Sequence, residues 1–69
     1  MTTKIMLEKL GLAGRKEFVY KYDEFIARPG YSSPNEWKNE VNLILYRILG
    51  YPVNCTANVL NSLVNRLVK

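Results

Sequence analysis

Histidine is absent from the sequence, and cysteine occurs once, at Cys55. The first absence removes the side chain that most often moves protons near neutral pH. Together they exclude an internal disulfide and leave a structural zinc ion almost without ligands. Cys55 has no histidine to activate it, so the expectation is a small semi-buried residue at a helix start rather than a nucleophile. No Gly-rich phosphate loop, Walker lysine or nucleophile elbow is present. Glu36 and Glu40 lie one helical turn apart, as metal ligands would, but acids at a helix start favour the dipole and Glu36 can serve a cap. The reading is therefore no enzyme, no metal and no cofactor. Long apolar runs are missing too. Ile5 to Leu7 is too short for a secretory segment and Leu43 to Tyr46 is far short of a membrane span. A cytoplasmic protein with no membrane partner is expected, which makes the glycosylation-like Asn54-Cys55-Thr56 accidental.

What is present is enough for one small globular domain over residues 1–69. Hydrophobic residues make up 48% of the 69, which argues against disorder. Four helical segments follow from the spacing of apolar residues. The first, about Thr3 to Leu10, carries Ile5, Met6, Leu7 and Leu10, and Gly11 ends it, with Leu12 able to touch Leu7 across the cap. Ala13-Gly14 is read as a turn. The second, about Arg15 to Arg28, places Phe18, Val19, Tyr22, Phe25 and Ile26 on one stripe, although Arg15 and Lys16 oppose the dipole at its start. Pro29-Gly30 stops it.

The third, Pro34 to Leu49, has the clearest punctuation. Ser33 suits the cap, Pro34 the first helical position, and Glu36 the return bond of a capping box. Gly50 fits the left-handed residue after the last turn, and Pro52 blocks continuation. Trp37, Val41, Ile44, Leu45 and Ile48 share one face, while Leu43 and Tyr46 project opposite among Asn35, Asn39 and Asn42. A helix apolar on two sides is usually central to its bundle. The fourth, about Thr56 to Lys69, has Ala57, Val59, Leu60, Leu63, Val64, Leu67 and Val68 on one side, with Asn54 or Thr56 as cap. The expected architecture is an all-α, small orthogonal bundle of three to four helices with the third at its centre. Its core is expected to hold Phe18, Tyr22, Phe25, Trp37, Val41, Ile44, Leu45, Ile48, Leu60, Leu63 and Leu67.

Charge is the first pointer to function. Ten basic and six acidic residues give a net charge of +4, and no acid follows Glu40. The polar side of the last segment therefore presents Asn58, Asn61, Ser62, Asn65, Arg66 and Lys69 without an opposing carboxylate. Asparagine can pair bidentately with adenine and arginine with guanine, while lysine and serine hold phosphates. With the third segment and the Gly50 turn, the order is helix, turn, helix. The stretch from Thr56 to Lys69 resembles the recognition helices of winged-helix repressors. That likeness covers under a quarter of the chain; no wing is expected with it, and the Tyr51 to Cys55 connection is longer than the usual tight turn. It implies a regulator that contacts DNA through Asn58, Asn61, Ser62, Asn65 and Arg66, with Arg47 and Lys69 on phosphates. The competing reading is a protein-binding regulator or inhibitor. It would dock through Tyr20, Tyr31, Leu43, Tyr46 and Tyr51, because tyrosine offers contact area with little entropy loss. If the bundle leaves Leu43 and Tyr46 uncovered, a two-fold homodimer is expected to cover them.

Overall fold

A computed structural model describes residues 2–30 and 34–68 of the chain. It contains three α-helices, α1 (Thr3–Ile26), α2 (Pro34–Leu49) and α3 (Ala57–Leu67), and no strand among the described residues. No described helix is long and apolar enough to cross a membrane. The Ser33 cap and Tyr31 lie outside the described residues.

The first two expected segments are joined end to end in α1, with the break at Gly11 and not at Ala13-Gly14. Gly11 has φ 67° and ψ −177°, a backbone region open essentially to glycine alone. Helix resumes at once, so residues 12–14 are helical where a turn was expected. Arg15 resolves its apparent conflict with the dipole by reaching backward. Its Nε and Nη2 both donate to the Leu7 carbonyl, at 3.2 and 3.0 Å. A guanidinium thus caps the stretch that Gly11 interrupts, where a helix end presents unsatisfied carbonyls and partial negative charge. Leu12 does not close a cap on Leu7; it is 71% exposed. At the far end Ala27 still donates to the Asp23 carbonyl, but the Arg28 N–H turns to Phe25 only three residues back, so the helix stops short of Arg28.

Gly14 is buried because α2 crosses there. A methyl group at Gly14 would lie 3.2 Å from Leu10 Cβ and 3.3 Å from Ile48 Cγ2, tighter than ordinary contact. The core groups Met6, Leu10, Phe18, Tyr22 and Phe25 of α1 with Val41, Ile44 and Leu45 of α2, Leu60, Leu63 and Val64 of α3, and Cys55. Trp37, Ile48 and Leu67, expected inside, are half-buried against it. Trp37 Nε1 donates to the Tyr22 hydroxyl over 3.2 Å, which places the indole at the rim, where its N–H has a partner.

The expected central position of the Pro34–Leu49 helix is corrected. The hub is α1, which packs on both other helices, while α2 and α3 share the smallest interface. The back of α2 is not covered by the bundle: Leu43 is 36% and Tyr46 46% exposed. Twenty-four residues of α1 offer more apolar length than the sixteen of α2, so the longer element organises the core. Gly50 behaves as read. Its φ is 83° and its N–H donates to the Tyr46 carbonyl at 2.8 Å, the single-bond form of the left-handed cap.

Candidate functional site

The placement of α3 begins one helix earlier, at Asn42. Its Oδ1 accepts from Cys55 N at 2.9 Å and its Nδ2 donates to Cys55 O at 3.2 Å and Lys38 O at 3.1 Å. One carboxamide therefore holds both polar groups of the residue just before the next cap. Thr56 follows as that cap, with Oγ1 accepting from Val59 N at 3.4 Å. From there Leu60, Leu63 and Val64 turn into the core, and Val59, Leu67 and Val68 lie half-buried beside them.

The opposite side of α3 faces solvent. Asn58, Asn61, Asn65 and Arg66 are exposed and Ser62 is half-buried. Residues 58, 62 and 65 follow helical spacing and make one stripe, with Asn61 and Arg66 on its two flanks. No carboxylate lies on α3, and Arg66 sits in its last turn, where the dipole favours a cation. Lys69 lies outside the described residues.

Arg47 belongs to a different neighbourhood. It lines an open groove of about 180 Å³ between α1 and α2 with Lys21, Glu24, Phe25, Arg28, Glu40 and Ile44, to which α3 contributes nothing. Charge in this groove is mixed. Arg28 pairs with Glu40 at 3.6 Å and lies over the Phe25 ring at 5.2 Å.

The residues read for protein docking are dispersed. Tyr20 stands on the outer side of α1, 67% exposed, and Leu43 and Tyr46 form a short ridge on α2. Tyr51 meets α1: Lys9 Nζ donates to its hydroxyl at 3.2 Å and lies 5.3 Å from its ring centre. That contact fastens the α2–α3 connection to the start of α1.

Among the described residues there is no group of three acidic or cysteine side chains placed to hold a metal ion. Burial pushes the Cys55 thiol up from its ordinary value, away from the thiolate that a nucleophile needs. The sequence reading missed Asn42 as a positioning residue. The signal available was its type: asparagine in a helix interior is disfavoured unless its side chain has a task. No protein-family model, curated protein or solved structure matches the chain.

Proposed function

We propose that the chain is a small non-enzymatic regulatory protein that contacts duplex DNA through the polar side of α3. The observation that supports this is the exposure of Asn58, Asn61, Asn65 and Arg66 together on one acid-free helix side, while the other side is buried. The core contacts and the Asn42 clamp give that side a rigid mount, which base reading requires. Arg66 and the asparagines would face base edges or backbone, and Lys69 would neutralise a phosphate at the margin, whereas Arg47 faces the α1–α2 groove and takes no part.

Two cations of this kind predict a modest electrostatic share, with a salt slope of roughly −2 in log affinity against log salt. The test is a duplex titration at low and physiological salt, for the wild type and for Arg66→Ala. Binding that weakens with salt, and a slope reduced by about one unit in Arg66→Ala, is the expected result when Arg66 engages phosphate. If it engages a guanine, the loss is about 1–3 kcal/mol with relaxed sequence preference. No binding at low salt, or a silent Arg66→Ala, removes the reading.

A second reading is supported by the exposed ridge of Leu43 and Tyr46 together with Tyr20. In it the chain is a regulator that docks on a partner protein, with Tyr51 contributing beside Lys9. Binding of such a partner would be lost in Tyr46→Ala and little changed by Arg66→Ala.

A further inference from the structure

The outer side of α1 carries an apolar stripe that the bundle leaves open. Leu12, Val19 and Ile26 recur at every seventh position and so fall on one line of the helix, roughly 21 Å long. Leu12 is 71% and Ile26 43% exposed, and Val19 is half-buried. Val19 and Ile26 share an apolar stripe in the sequence with Phe18, Tyr22 and Phe25, yet only those three reach the core, and Val19 and Ile26 are left on its flank.

Two charges lie beside the stripe, one turn to either side of its midpoint. Lys16 precedes Val19 by three residues and Asp23 follows it by four. Neither side chain has a hydrogen-bond or ion-pair partner among the described residues. Asp23 lies in the last turn of its helix, where the dipole disfavours an acid, and no cation among the described residues pairs with it.

The pattern is nearly palindromic. Turning a second copy by 180° about Val19 sets Leu12 against Ile26, Val19 against Val19, and Lys16 beside Asp23, twice over. Tyr20, 67% exposed next to the midpoint, would then flank its own counterpart. We infer that α1 is the interface of a two-fold antiparallel homodimer, held by this stripe and by the reciprocal Lys16–Asp23 pairs. A closed isologous contact needs such self-complementarity, and an unrelated partner would have no reason to meet it. The inference is independent of the DNA reading. It also locates self-association on α1, away from the Leu43–Tyr46 ridge.

Charge reversal tests it, because both side chains are exposed and Asp23→Lys also suits the dipole at the helix end. Sedimentation equilibrium would compare the wild type, Lys16→Asp, Asp23→Lys, the double exchange and Leu43→Asp, with circular dichroism confirming the fold. Each single reversal should weaken the dimer by at least about tenfold through like-charge contact, and the double exchange should restore it. Leu43→Asp should leave it unchanged. A wild-type chain that stays monomeric, single reversals without effect, a double exchange that fails to restore, or a dimer lost in Leu43→Asp would each overturn the proposal.

Discussion

Asn42 carries more of the architecture than its residue type suggests. Its carboxamide replaces a short piece of backbone pairing, satisfying the N–H and C=O of Cys55 where the chain leaves the α2–α3 connection. Removing it strands two part-buried backbone groups, so Asn42→Ala should cost about 1–3 kcal/mol in urea denaturation. Against a total of about 3–10 kcal/mol for a domain of this length, that is a substantial fraction. A loss below a few tenths would show that water replaces the clamp. At this scale the sequence was legible where periodicity governs: Phe18, Tyr22, Phe25, Val41, Ile44, Leu45, Leu60 and Leu63 are all buried as read. It was not legible where a specific partner decides. Arg15 looked misplaced until its hydrogen bonds to the Leu7 carbonyl were seen, and Trp37 stays at the rim because Tyr22 offers its indole a bond there.

At the scale of elements, Gly11 sets the shape of α1. A side chain there would meet no neighbour, since no atom lies within 4 Å of a built Cβ. The obstacle is the backbone, because φ 67° with ψ −177° excludes other residues almost entirely. Gly11→Ala should therefore destabilise by about 1–3 kcal/mol despite the open space, read as a lowered denaturation midpoint. An unchanged midpoint would mean that the break relaxes into continuous helix at no cost. The break at Gly11 and the turns at Gly30 and Gly50 were legible because each demands a positive φ that few residues adopt. The hub of the bundle was not. Apolar spacing identifies the faces a helix can bury, but which face is covered depends on where its neighbours cross. The Gly14–Ile48 approach fixes that crossing, and Leu43 and Tyr46 end up outside it.

For the whole molecule, measuring 32 × 23 × 21 Å, the net charge of +4 is a weak guide by itself. Several cations are engaged internally: Arg15 on a carbonyl, Lys9 on Tyr51, Arg28 on Glu40 and Lys21 on Glu17. What distinguishes one side is composition, with asparagines and Arg66 on α3 and no acid among them. The sequence reading placed those residues on one helix side, and four of them are exposed there. It grouped Arg47 with them from chain order alone, and the fold puts Arg47 in the α1–α2 groove instead. The DNA reading thus rests on α3, and the most direct test is an amide NMR titration of the labelled protein with duplex at low salt. The account predicts shifts concentrated at Asn58, Asn61, Ser62, Asn65 and Arg66, with the α1 outer stripe and the Leu43–Tyr46 ridge undisturbed. Absence of shifts, or shifts centred on α1 or on the back of α2, would contradict it.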